Sequence, residues 1–263
     1  MIKKHLCTCS VVLVTLVLSK LFLYSTPVEN NTANTIAINT IRNVNTTKKD
    51  RLFADLNFAN EYLPKENKEV ERKMRRSLKA HSFAKLKTHK LHEHAKSWFP
   101  VIEPILRQYG IPEDFKYLPL VESGLIQGTS HKGASGLWQF MPATARAFNL
   151  KVNATVDERL DVRKSTIAAC KYLRVLYKDF GNWTLVAAAY NIGGGSLKKA
   201  MHRQNQEDYY RLRLNRETES YLYKLISTKA VIENPRVYGY KERTVDTKLA
   251  MEDIASAEDS NRL

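Results

Sequence analysis

Apolar residues recur at helical spacing through most of the chain after residue 67. Val70, Met74 and Leu78 fall four apart, as on one face of a long helix, and Phe83, Leu86 and Leu91 extend the series. Charged, mainly basic residues fill the positions between them. Residues 67–97 therefore predict a basic helical lead-in, solvated on its other faces. From Trp98 onward the pattern is that of a compact helical domain. Pro104 lies within a stretch that runs to Tyr109 and stops at Gly110. Pro112, Glu113 and Asp114 open a short helix that carries the chain to Glu122. Pro142 suits the first turn of a helix over 143–148. Ala169, Leu173, Leu176 and Phe180, spaced four, three and four, predict one amphipathic helix over 162–180. Asn182 is placed to cap a helix over 183–191, ended by Gly193, Gly194 and Gly195. Leu222, Leu225, Ile226 and Ala230 share a face of a last major helix over 217–232. Strand patterns are nearly absent and there is no internal repeat, so the expected fold is mainly α.

The flanks read differently. Residues 1–26 carry Lys3 and Lys4 ahead of an apolar core from Val11 to Ser19, which Lys20 interrupts. The order is that of an export signal. With Lys20 snorkelling, the same span reads as a retained membrane anchor. Residues 27–66, rich in Asn and Thr towards their start, read as a flexible linker. The compact helical domain is expected over 98–240, followed by a polar tail over 241–263.

Charge narrows the partners. The formal net charge is +15, which favours anionic partners such as a membrane surface or an acidic wall polymer. No zinc-ligand, helix-turn-helix or RNP-type pattern appears, so nucleic acid is not expected. Beyond Cys7 and Cys9 near the start, only Cys170 remains. It falls within the apolar pattern of 162–180 and reads as a buried small hydrophobe. His89, His92 and His94 cluster within the lead-in and read as a surface turn, not a metal site. No cofactor is called for.

The chemistry concentrates in short segments. In Tyr117-Leu118-Pro119-Leu120-Val121-Glu122-Ser123 a single carboxylate ends an apolar run. Burial against apolar neighbours raises a carboxyl pKa and keeps it protonated, ready to donate to a leaving oxygen. No other acid follows until Asp157. Gly136-Leu137-Trp138-Gln139-Phe140-Met141-Pro142 comes next, then Ala189-Tyr190-Asn191-Ile192-Gly193, then Glu217-Thr218-Glu219-Ser220-Tyr221. In this order and spacing the chain resembles the catalytic domain of lytic transglycosylases, in the soluble-lytic-transglycosylase, lysozyme-like group. It is most similar there to the membrane-bound D type. The resemblance covers roughly residues 98–235.

That resemblance implies a lysozyme-like helical domain acting on peptidoglycan glycan strands in the periplasm or cell envelope, with no added cofactor. It implies Glu122 as the catalytic acid and base. Ser123, Gln139, Met141, Tyr190, Asn191 and Tyr221 are implied as substrate-binding or supporting residues. Their other readings stay open: Ser123 as a turn cap, Met141 as core, Tyr190 and Tyr221 as buried tyrosines with satisfied hydroxyls. Trp138 and Phe140 read as core. Ile192 stands where the family usually has a small residue. The implied reaction cleaves the β-1,4 bond between N-acetylmuramic acid and N-acetylglucosamine and closes a 1,6-anhydro ring. A water-using muramidase and a non-catalytic wall-binding protein are the alternatives. A second carboxylate across the sugar, which hydrolysis needs, would have to come from Asp157, Glu158, Asp161 or Glu217.

Overall fold

A computed structural model describes residues 53–64, 66–86, 88–124 and 128–240. The expected leader and tail, and most of the expected linker, lie outside the described residues. The described residues from Asp55 to Tyr240 belong to one unit, and it is mainly α.

The unit opens with a two-residue hairpin, β1 (Asn57–Phe58) antiparallel to β2 (Glu61–Tyr62), with Phe58 opposite Glu61. Its turn residues Ala59 and Asn60 both have positive φ, 53° and 63°, the geometry of a tight two-residue turn. The Asp114 carboxylate holds that turn by accepting from the Ala59 N–H at 2.6 Å. Phe58 is fully buried and meets the Phe115 ring edge-on at 5.0 Å. Residues 55–64 are thus packed into the fold, which corrects the expectation of a flexible linker running to residue 66. A buried aromatic and a carboxylate clamp fix them.

Helix α1 (Lys68–His81) starts where Asn67 accepts hydrogen bonds from the N–H groups of Glu69 and Val70. Val70 and Met74 are buried, as their spacing predicts. The helix stops at Ser82, whose backbone is extended, so the lead-in is not one long helix. A short α2 (Phe83–Leu86) follows, then α3 (His89–Gln108), which runs through Pro100 and Pro104. Trp98 lies inside α3 and marks no domain boundary. A 3-10 turn over Glu113–Lys116 leads into α4 (Tyr117–Ser123), closed by left-handed Gly124. Helix α5 (Pro142–Ala147) begins with proline, and α6 (Val162–Phe180) has the predicted bounds, capped by Asp161.

Helix α7 (Trp183–Ile192) is the buried centre of the unit. Asn182 caps it as expected, and Leu185 to Ala189 are all buried. The small Ala187, Ala188 and Ala189 let neighbours approach, and α6, α8 (Gly194–Gln204) and α9 (Arg216–Glu233) all pack on α7. The existence of α8 corrects the sequence reading. Gly193 ends α7 with φ 90°, but Gly194 opens a new helix. A Cβ at Gly194 would press on the Leu176 side chain at 3.2 Å, so the glycine serves close packing there. Helix α9 also packs on α4 and, most extensively, on α1.

Candidate active site

Glu122 lies in the last turn of α4, whose Tyr117, Leu118, Pro119 and Leu120 are buried. The Tyr221 hydroxyl, presented by buried Tyr221 on α9, donates to Glu122 Oε1. Burial is the largest influence on Glu122 and raises its pKa above the usual carboxylate range. The negative charge of Glu217 pushes the same way. Tyr221's hydrogen bond and the positive charge of Lys224 push back, since both favour the carboxylate. Glu122 is therefore a carboxyl with its acid form favoured by desolvation and with a donor waiting for its anion. Burial and the nearby Glu122 charge also keep the Tyr221 phenol well above its ordinary pKa, so it remains a donor.

A tight loop over residues 135–140 faces α4. Ser135 and Phe140 exchange backbone hydrogen bonds, both at 3.1 Å. Gly136 has φ 76°, and a Cβ there would collide with the Arg159 carbonyl. Arg159, itself buried and paired with Asp157 at 2.7 Å, donates to the carbonyls of Gly133 and Phe140 and pins the loop from outside. Trp138 is fully buried and its Nε1 donates to Thr166, and Phe140 is buried too.

The other expected residues occupy distinct places. Ser123 donates to the carbonyls of Pro119 and Leu137, both at 3.0 Å, so its hydroxyl ties the loop to α4. Its partners are backbone carbonyls and not the Glu122 carboxyl. Gln139 has φ 47° and donates its amide to the Gly136 carbonyl at 2.8 Å, which holds the loop's own curvature. Met141 is 45% exposed just before α5, which removes the core reading. Tyr190, half-buried at the end of α7, donates to the Trp138 carbonyl at 2.8 Å. Burial, and after it the Glu122 charge, raises its pKa well above the ordinary phenol value. Asn191 joins α7 to α9: its amide donates to Glu217 at 3.1 Å and its carbonyl accepts from Thr218 at 2.7 Å. Glu122, Tyr190 and Tyr221 are thus electrostatic neighbours, and Ser123, Gln139 and Asn191 hold the walls.

Of the four acids open for a second carboxylate role, Asp157 pairs with Arg159 and Glu158 with Lys164. Asp161 caps α6, and only Glu217 acts on Glu122. Lys224 is a site residue that the motifs did not point to. Glu217, Tyr221 and Lys224, spaced four and three along α9, share one helix face, and that periodicity was available in the sequence.

Residues 100–212 match the family model of the transglycosylase SLT domain. This segment resembles a transglycosylase SLT domain. Over 152 residues it is 35% identical to the membrane-bound lytic murein transglycosylase D of Escherichia coli (strain K12), a match covering 56% of this chain and 34% of that relative. The chain so spans about a third of that relative's length. Among solved structures it is similar to the 70 kDa soluble lytic transglycosylase Slt70 of Escherichia coli, at 21% identity and a TM-score of 0.45 over 65% of this chain and 31% of that one. It is also similar to the lytic transglycosylase Slt of Pseudomonas aeruginosa, at 20% identity and a TM-score of 0.40 over 54% and 24% of the two chains. Glu122, the 135–140 loop and Tyr190 fall within the matched SLT segment. Tyr221, Glu217, Lys224 and the whole of α1 and α9 fall outside it.

Proposed function

We propose that this chain is a peptidoglycan lytic transglycosylase that works with Glu122 as its single acid and base. The substrate is the glycan strand, cut between N-acetylmuramic acid and N-acetylglucosamine. Protonated Glu122 gives its proton to the glycosidic oxygen as the bond to the anomeric carbon breaks. Positive charge then develops on the muramoyl ring. The Glu122 carboxylate left behind keeps Tyr221's donated hydrogen bond and the nearby charge of Lys224. It next takes the proton of the 6-hydroxyl of the same ring, whose oxygen bonds the anomeric carbon and closes the 1,6-anhydro ring. No water is consumed, and the internal nucleophile gains from its high effective concentration. One group acts twice, so its pKa must lie near the working pH.

The observation that carries this reading is the half-buried Glu122, its carboxyl pKa raised by desolvation and its Oε1 met by the Tyr221 hydroxyl. In this reading the exposed Met141 and the neighbouring Gln139 line the glycan path. A wall substrate puts the site of action at the cell envelope. Among the described residues, no helix is long and apolar enough to cross a membrane. Digestion of purified peptidoglycan followed by mass analysis of the products tests the reading. Products with anhydro ends are expected. Reducing ends would assign water as the nucleophile and overturn the transglycosylase mechanism.

A further inference from the structure

A groove of about 730 Å³ runs between α1 and α9, lined in part by Lys73, Arg76 and His81 from α1 and by Arg216, Glu217 and Lys224 from α9. Both helices lie outside the matched SLT segment. The groove shares Glu217 and Lys224 with the surroundings of the catalytic acid. Glu217 and Lys224 stand one helical turn either side of Tyr221, whose hydroxyl bonds Glu122, and both charges are felt at Glu122.

Its charge is asymmetric. Four permanent cations, Lys73, Arg76, Arg216 and Lys224, face two carboxylates, Glu217 and Glu219. Lys73 is partly engaged by Glu69 at 3.2 Å and Glu219 at 3.9 Å. Glu217 is engaged by the Asn191 amide. Arg76, Arg216 and Lys224 have no ion-pair partner among the described residues. His81 adds no charge at neutral pH: burial, then the nearby Lys224, lower its pKa below the usual imidazole value. Guanidinium groups present paired donors that match carboxylates. Cations without ion-pair partners on both walls of a groove whose Glu217 and Lys224 act on the catalytic acid are suited to an anionic extension of the substrate itself.

We propose that the α1–α9 groove binds the carboxylate-bearing peptide branch of the glycan strand and so selects strands that still carry their peptides. This rests on the proposed glycan-cleaving activity. Arg76, exposed on α1 and apart from the reacting atoms, is the residue whose loss isolates the effect.

The full-length chain and its Arg76→Gln and Arg76→Lys variants would be compared on two soluble substrates, glycan strands with their acidic peptides and the same strands after enzymatic peptide removal. Losing one charge-assisted hydrogen bond corresponds to about a tenfold change in affinity. Arg76→Gln should raise KM about tenfold on peptide-bearing strands, leave kcat unchanged, and match wild type on bare strands. Arg76→Lys should recover part of the loss. Equal kinetics of wild type and Arg76→Gln on both substrates, or equal loss on both, would overturn the proposal.

Binding of the released peptide alone, followed by NMR shifts of the full-length wild type, separates the two readings. Shifts at Arg76 and Arg216 without turnover of either strand would sink the proposed activity and leave the groove standing. Turnover without such shifts would sink the groove. Inorganic phosphate and anionic lipid vesicles serve as competing probes. Displacement of the peptide only by phosphate or vesicles, at lower concentrations than the peptide needs, would assign the groove to a different anion and overturn the peptide reading.

Discussion

A fragment beginning at residue 98 should fail to fold, although all of the recognised motifs lie beyond that point. Removing residues 55–97 takes away Phe58, Val70 and Met74, each at most 2% exposed. At about 1.5–3 kcal/mol for each fully buried side chain, these three alone contribute about 5–9 kcal/mol. That is comparable with the whole stability of a typical domain, about 5–15 kcal/mol. The cut also bares the side of α9 that α1 covers and removes the Ser77 hydroxyl, which accepts from Ser227 at 2.8 Å and donates to the Tyr223 carbonyl at 3.0 Å. It takes away Glu61, whose carboxylate accepts from the N–H groups of Trp183 and Thr184 at 2.7 and 2.8 Å and so caps α7. Circular dichroism against urea, with turnover on short soluble glycan fragments, reads the outcome. The 98–263 fragment should show no cooperative transition and no turnover. In the full-length chain, Met74→Ala should lower the transition midpoint at unchanged slope by the equivalent of about 2–5 kcal/mol. A 98–263 fragment that unfolds sharply and cleaves short fragments at the full-length rate would refute the reasoning. It would return the lead-in to the role its charge suggested, attraction to anionic surfaces alone.

Other consequences follow from the site. Glu122→Gln should abolish turnover yet raise the melting temperature at neutral pH. A carboxyl whose folded pKa is raised costs stability as pH climbs from the ordinary glutamate pKa to the raised one, by about 1.4 kcal/mol for each tenfold gain in proton affinity, so the gain should vanish below the ordinary glutamate pKa. Tyr221→Phe removes a bond that favours the Glu122 anion and should move the alkaline limb of the pH–rate profile upward. Glu217→Gln removes a like charge and should move the same limb downward; movement of one sign in both would contradict the assigned electrostatics. Tyr190→Phe leaves the Trp138 carbonyl without its donor and should cost about 1–3 kcal/mol in denaturant melts, together with a loss of turnover. Gly136→Ala forces a Cβ against the Arg159 carbonyl at φ 76° and should destabilise by more than about 1 kcal/mol, read by the same melts.

Periodic features are the legible part of the fold. The bounds of α6, the Asn182 cap and the buried face of α9 all follow from local spacing and residue type. Features made by contact between distant residues are not legible in that way. The Glu61 cap on α7 joins residues 122 positions apart, and no local pattern announces it. Ala59 adopts positive φ although alanine disfavours it, because Asp114 and the hairpin hold it there. The glycine run after α7 signals a stop by propensity. Gly194 is instead the small residue that lets α8 start against Leu176 and Phe180. At the site, the apolar run before Glu122 correctly indicates a desolvated carboxyl. The roles of Ser123 and Gln139 are hidden from the sequence, because both hydrogen-bond to backbone carbonyls, and those positions depend on how the 135–140 loop folds.

The division between matched and unmatched sequence sharpens this point. The SLT segment ends at residue 212 and contains the acid, but the groups that set the acid's proton affinity from outside α4 are Tyr221, Glu217 and Lys224, all on α9. Helix α9 is in turn held by α1 and tied to the hairpin and its clamp, since Lys229 reaches Asn57 of the hairpin at 3.0 Å and Asp114 of the 3-10 turn at 2.7 Å. A small displacement of α9 changes Tyr221's hydrogen bond to Glu122 and thereby the pKa on which both proposed proton transfers depend. The residues before 98 are therefore coupled to the chemistry through packing, by way of α9. Substitutions at Met74 or Val70 should consequently alter the pH–rate profile as well as the melting temperature. A surface lysine of α1 such as Lys79 should alter neither.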